Sequence, residues 1–404
     1  NGVLELNLAH WYTPQIGDEI PLLSADNVDS TAGQFSMVLV NDPMPDGLYI
    51  RLDYIQGDGS RDNSGTIYAV VDELANLFGY GDPNSETVAG TATDVLLTDL
   101  GSSDRTVDGF DDIVVTTTDT VYVFLSDGAG GIASQATYSE TGFTSLAAVD
   151  AGDLDGDGTN DLIVVNSDSD QFIPIYNELN DINFLTIGDY ESTGPNPTDV
   201  IVMNTDFDAD EDVIIACKGY TLTDGVIEFF TSEPSFTGGF SSAGSLASPG
   251  HPGKIDPGDV NNDKDFSIHV SFEGANSVGK ASQTTEVRGS FWSYVDIAQV
   301  PIGPQNLVTG DINGDSIEDV IVACPTSDTL SILLGSAAAG FADPLQLFVG
   351  IEPTSLALLD FDNDGDKDIA VIASNSTTFN RAVMMYRNDT SLNGGNLMFA
   401  QDSY

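Results

Sequence analysis

Residues 153–161 read DLDGDGTND and run directly into LIVV. Four carboxylates crowd nine residues just ahead of a segment apolar enough to be buried. Two ionised carboxylates about 4 Å apart repel by roughly 4 kcal/mol at an effective dielectric near 20. The stretch therefore calls for a positive charge among its side chains.

The pattern recurs. Related clusters begin at Asp206 (DFDADED), Asp259 (DVNNDKD), Asp311 (DINGDSIED) and Asp360 (DFDNDGDKD), with a looser one at Asp99 (DLGSSDRTVDGFDD). Successive starts lie 49 to 54 residues apart, so six units fill positions 94–404. Most clusters lead into a short β-branched run: DIVVTT at 112, DLIVVN at 161, DVIIAC at 212, DVIVAC at 319 and DIAVIA at 368. Runs of that length and composition read as buried strands rather than helices. A second run follows in most units (VYVFL, FIPIY, VIEFF, LSILL, AVMMY), then a turn, then a last strand before the next cluster.

Four strands per unit with no helical segment between them predict an all-β chain, a β-propeller of four-stranded blades, over residues 86–404. The sixth unit stops early, which predicts that its fourth strand is missing. The segment near 86–91 is then expected to complete that blade and close the ring, removing exposed sheet edges. Residues 1–85 carry no acidic loop. Their runs VLELNL, FSMVLV, LYIRLDYI and TIYAVV predict a small antiparallel, sandwich-like or cap domain, and the segment resembles caps of large bacterial surface proteins.

A calcium loop of the EF-hand kind takes side chains from positions 1, 3 and 5, a backbone carbonyl at 7 and a later carboxylate. In DLDGDGTND these are Asp153, Asp155, Asp157, the carbonyl of Thr159 and Asp161, with Gly158 at the sharp turn. The same register fits Asp311, Asn313, Asp315, the carbonyl of Ile317 and Asp319, with Ser316 in place of glycine. It also fits Asp360, Asp362, Asp364, the carbonyl of Asp366 and Asp368. These three loops are the full sites. Two others, Asp206, Asp208, Asp210 and Asp212, and Asp259, Asn261, Asp263 and Asp265, read as loops shortened by two residues and as further candidate sites. The first loop, in which Asp112 follows Asp99 by thirteen positions, is a poor one. Oxygen ligands without Cys or His select a hard cation, and the loop suits Ca2+ better than Mg2+, which demands tighter octahedral geometry.

The totals exclude several classes. With 64 acidic against 11 basic residues and a formal charge of −53, the chain lacks the basic patches that nucleic acid or an anionic membrane surface requires. No stretch is apolar enough to span a bilayer, and the absence of a leader at Asn1 reads as a mature or excised piece. Cys217 and Cys324, at equivalent places in the third and fifth units, predict two separate buried thiols. His269, in FSIHVSF, predicts a local hydrogen-bonding role. Neither a nucleophile elbow nor a phosphate loop is present. Asn375 and Asn388 begin glycosylation acceptor motifs, relevant only in a glycosylating host.

The repeated DxDxDGxxD followed by an apolar strand resembles FG-GAP or VCBS repeats, the calcium-loop propeller blades of integrin α subunits and many secreted bacterial proteins. The resemblance covers about 310 residues. It implies ions in hairpin loops on one face that support the ring. That ring is commonly seven-bladed, so a seventh blade from residues 1–85, or from sequence beyond 404, stays open beside the six units counted. The expectation is an extracellular or cell-surface, calcium-stabilised module for adhesion, scaffolding or surface assembly, not an enzyme, with a protein or glycan partner. A glycan-binding propeller and a polysaccharide-cleaving enzyme are the alternatives.

Overall fold

The structure is a computed structural model. It describes residues 3–6, 19–25, 37–40, 48–55 and 65–73 as strands, and 88–402 except 102–108, 129–130, 178–184, 207–209, 234–238, 265–266, 284–291, 338–340, 342, 362–364, 375–380, 389–396 and 398. Two compact units divide the chain, one of residues 1–84 with 403–404, the other of residues 85–402. In the first, Glu19–Ala25, Gly65–Glu73 and Leu48–Ile55 form an antiparallel sheet in that order, and Val3–Leu6 pairs in parallel with Met37–Val40.

The second unit is a six-bladed β-propeller, built from six antiparallel sheets whose strands follow chain order. The inner strands are Ala92–Thr98, Leu146–Gly152, Pro197–Met203, Pro252–Gly258, Asn306–Gly310 and Ile351–Leu359. Inner strands of blades that follow one another in the chain pack together. In the second blade the outer strand is split into Thr186–Ile187 and Glu191–Ser192, both paired with Gln171–Tyr176.

The second strands explain why their sequences are apolar without alternation. Asp161–Asn166, Asp212–Cys217 and Asp319–Cys324 are buried along their whole length, because a blade inside the ring has a neighbour on both faces. Ile214 packs into the seam with the fourth blade, and Ile215 into the seam with the second. Among the described residues, each of the five seams between successive blades has its own hydrophobic cluster. Fully burying a side chain such as Leu162 or Ile214 is worth about 1.5–3 kcal/mol. Cys217 and Cys324 lie in different seams as free buried thiols, as their spacing predicts.

The ends of the array differ from the expected closure. The sixth blade has its own outer strand, Phe399–Asp402, paired with Met385–Asn388, and residues 88–91 form no strand. The outer strand begins at Phe399 itself, directly opposite Asn388, so the chain does not need to travel further to complete the blade. Val95 and Leu97 in the first blade, and Leu359, Ile372 and Val383 in the sixth, are exposed. Their alternates Leu96, Val114, Leu358 and Val371 pack into the first and last seams. The exposed set therefore lies on the outward faces of the two terminal blades.

Candidate metal centre in the blade loops

The acidic loops connect the inner strand of each blade to the second. In five blades the second strand opens with an aspartate that is at most 1% exposed: Asp112, Asp161, Asp212, Asp319 and Asp368. Each uses both carboxylate oxygens. Asp161 accepts the amide of Leu154 at 3.1 Å and that of Asn177 at 2.7 Å. Asp319 accepts Ile312 at 3.1 Å and Gly335 at 2.7 Å, and Asp368 accepts Phe361 at 2.9 Å and Asn388 at 2.7 Å. The same two bonds recur at Asp112 and Asp212. One carboxylate thus ties the start of its loop to the end of the third strand. Burial pushes Asp161 up to about 7 and Asp319 up to about 6, with neighbouring loop aspartates adding to the rise.

The loops share an internal frame. The first-position carboxylate accepts the amide of the sixth residue: Asp153 from Gly158 at 2.9 Å, Asp259 from Lys264 at 2.9 Å, Asp311 from Ser316 at 2.8 Å and Asp360 from Gly365 at 3.1 Å. The sixth residue is left-handed in every case, with φ of 88° at Gly158, 70° at Lys264, 67° at Ser316 and 97° at Gly365. Successive turns link the odd-numbered residues, each side chain accepting the amide two residues on. In the second blade Asp155 accepts from Asp157, which in turn accepts from Thr159; in the fifth Asn313 accepts from Asp315, which accepts from Ile317.

In the second blade this frame brings oxygens of Asp153, Asp155 and Asp161 within 4.8 Å of one another. Asp153 Oδ1 is buried there without a hydrogen bond. Three carboxylates and an orphaned buried oxygen fit a hard cation. Asp157 stays on the exposed side of the loop. The Thr159 hydroxyl, with one proton to give, lies 2.7 Å from Asp157 Oδ1 and 2.8 Å from the carbonyl of Asn177. In the sixth blade Asp362 and Asp364 lie outside the described residues, as do Asp208 and Asp265 in the third and fourth.

The structure corrects the register of the two loops read as shortened. Met203 pairs with Asp212 as Gly152 pairs with Asp161, and Thr205 donates to Asp212 as Leu154 does to Asp161. The third loop is therefore full length and starts at Asn204, with Asp206, Asp208 and Asp210 at positions 3, 5 and 7. Asp210 is 1% exposed and turns toward the second blade. A β-carbon on Gly156, which has φ of 76°, would come within 2.5 Å of its Oδ1. The fourth loop is likewise full length, since Gly258 pairs with Ser267. Asp265 falls at position 7, and Ser267 stands where other blades have the aspartate.

Residues beside these aspartates, which carry no motif, bind the loops to one another. Glu211 accepts the Asp153 amide at 3.1 Å and donates its own amide to the Asp153 carbonyl at 3.0 Å. Glu318 accepts the Asp259 amide at 2.6 Å, and Asn160 donates to the Asp99 carbonyl at 3.2 Å. Asn177 and Asn388 donate across the seam to the carbonyls of Leu100 and Ile312. Asn388 is fully buried, so its acceptor motif is closed to modification; Asn375 lies outside the described residues.

A second charged constellation, invisible as a motif, lines the inner strands. Asp94, Asp150, Asp199 and Asp256 each accept an amide from the next blade's inner strand: Val149 at 3.1 Å, Val202 at 2.7 Å, Ile255 at 2.7 Å and Thr309 at 2.6 Å. Lys254 Nζ lies 2.7 Å from Asp199 Oδ1. Burial pushes Asp150 up to about 7 and Asp199 and Asp256 up to about 6. Burial acts to lower Lys254, but Asp199, then Asp94 and Asp150, outweigh it and hold the ammonium above its ordinary value. The signal was a lone acid inside otherwise apolar runs, as in TDVLL, AAVDAG and TDVIV. His269, expected to hydrogen-bond locally, is fully buried with neither ring nitrogen in a well-formed bond. It packs edge-on to Phe341.

The family comparison agrees with this architecture. A family model described as an FG-GAP-like repeat matches residues 104–164 and 289–371, just over a third of the chain. A functionally unknown protein from Desulfotomaculum acetoxidans DSM 771 is similar in structure at 12% identity, with a TM-score of 0.50 over 71% of this chain and 78% of that one. BBS1N, in a complex with ARL6DN soaked with lead, is 16% identical over 76% of this chain and 81% of its own, with a TM-score of 0.49. No curated protein matches the chain.

Proposed function

We propose that this chain, a six-bladed propeller carrying FG-GAP-like repeats, is an extracellular module whose acidic loops are stapled by Ca2+ and whose surface serves adhesion or assembly. Its role is non-catalytic. The observation that carries the reading is the convergence of Asp153, Asp155 and Asp161 around a buried, unbonded Asp153 oxygen. Three such charges repel by roughly 3–4 kcal/mol per pair at an effective dielectric near 20, and a divalent ion turns that cost into attraction. The carbonyl of Thr159 and the carboxylate of Asp157 would supply further oxygens. The loops at 311 and 360 share the same frame, and Asn204, Asp206 and Asp208 stand at the same positions in the third.

Extracellular calcium is millimolar, which suits loops of this kind. A surface of charge −53 also favours solubility in the presence of divalent cations. Because one fold hosts unrelated functions, the calcium reading rests on the loops and not on the propeller.

Thermal unfolding with and without EGTA tests it, together with calcium titration calorimetry. Chelation is expected to lower the melting temperature by several degrees, and Asp155→Asn to remove one binding event. An unchanged melt and no binding heat would end the proposal.

A further inference from the structure

On the face opposite the acidic loops, a pocket of about 310 Å³ opens between the third, fourth and fifth blades. The acidic loops leave the inner strands at Met203, Gly258 and Gly310, whereas this pocket lies where the same strands begin. Its walls include Asp199, Lys218, Lys254, Glu273, Gln305 and Asn306. Two of the chain's eleven basic side chains thus meet in one cavity. We infer that this pocket binds an uncharged, polyhydroxylated ligand, a neutral sugar.

The chemistry narrows the ligand by elimination. Lys254 pairs with Asp199 at 2.7 Å and Lys218 with Glu273 at 2.8 Å. The four lining charges sum to zero. An ammonium carries three donors, so after one bond to its carboxylate each lysine keeps two more to offer. Asn306, half-buried in the lining, adds a side-chain amide with both a donor and an acceptor. An incoming cation would have to displace an ammonium from a carboxylate it already neutralises. An anion would enter the field of a strongly acidic molecule, with Asp94 and Asp150 acting on the same Lys254 from within. A neutral ligand with many hydroxyls avoids both penalties, because each hydroxyl can accept from a lysine and donate to a carboxylate.

The pocket is also built rather than incidental. Asp199 is 2% exposed and held by the Ile255 amide at 2.7 Å. Lys254's own amide donates to Ser271 Oγ and to the Gln305 carbonyl. A buried ion pair is seldom more stabilising than an apolar pair of the same size, so the pair that Lys254 makes with the buried Asp199 is better explained by recognition than by folding, and Lys218–Glu273 beside it stays about one third exposed, open to a ligand. The volume lies at the lower end of the range for small-ligand sites.

The test uses the full chain in saturating calcium, titrated by calorimetry and saturation-transfer NMR with glucose, galactose, mannose and N-acetylglucosamine, and with glucuronate as the charged counterpart. At least one neutral sugar should bind saturably. Lys218→Met and Asn306→Ala, both at partly exposed positions, should each weaken that binding at least tenfold while leaving the melting temperature unchanged. Absence of saturable binding by every neutral sugar, undiminished binding in both variants, or tighter binding of glucuronate would overturn the inference. Because the loops remain calcium-loaded throughout, none of these outcomes bears on the metal proposal.

Discussion

Lys254 is the residue on which the charges of the inner strands turn. It is paired to a carboxylate that is 2% exposed, and its removal would leave that carboxylate buried and alone. Lys254→Met should therefore cost about 3 kcal/mol in urea unfolding at pH 7, and Asp199→Asn in the same chain should restore much of the loss. Asp150 gives a pH signature. Its folded value is raised from 3.8 to about 7, so the folded state holds its proton in a window where the unfolded chain has released it. The stability it lends is complete below pH 4 and is lost as pH rises through 7. Asp150→Asn keeps an acceptor for the Val202 amide without the charge. Relative to wild type, its stability should rise between pH 4 and pH 8 by on the order of 4 kcal/mol, read from denaturation midpoints. His269 acts in the opposite sense. Burial, with Lys280 close by, lowers it to about 3, so its contribution is lost as pH falls below 6.5.

At the scale of the loop, the sequence located the aspartates and the starts at Asp153, Asp259, Asp311 and Asp360, but not the start of the third loop. The run DVIIAC correctly placed Asp212 opposite Asp319, yet the third loop begins at Asn204 because the inner ladder ends at Met203. A strand end is fixed by its cross-strand partner, which a local motif does not contain. The turn itself follows local rules. Its sixth position is left-handed in the four described loops of this type, a conformation that is costly for any side chain with a β-carbon. Glycine already fills it in two of them, whereas Ser316 holds φ of 67°. Ser316→Gly should therefore stabilise the protein by about 0.5–1 kcal/mol, seen as a small rise in melting temperature. A drop would mean that the serine side chain serves the loop in another way.

Across the whole molecule, stability resides in seams between blades. Leu162 is fully buried in the first seam, whereas Leu97, on the outward face of the first blade, is 62% exposed. Leu162→Ala should cost about 2–5 kcal/mol and Leu97→Ala less than about 1 kcal/mol, measured in the same unfolding assay. Equal losses would mean that the first blade's outward face is packed in solution. The expected closing strand near residues 86–91 misjudged this level. The four residues Phe399–Asp402 complete the sixth blade, and hydrophobic clusters join only successive blades among the described residues.

The sequence alone determined the repeat, the four-stranded blade and the aspartates that head the second strands. Each of these is written in a period of about fifty residues and in apolar runs long enough to need burial on both faces. Only the tertiary structure decided which acids face one another. Asp94, Asp150, Asp199 and Asp256 come from separate blades, and Glu211 reaches Asp153 across a seam. Charges distant in sequence acquire a common environment only when neighbouring sheets have excluded the water between them, and that exclusion is a property of the packed blades.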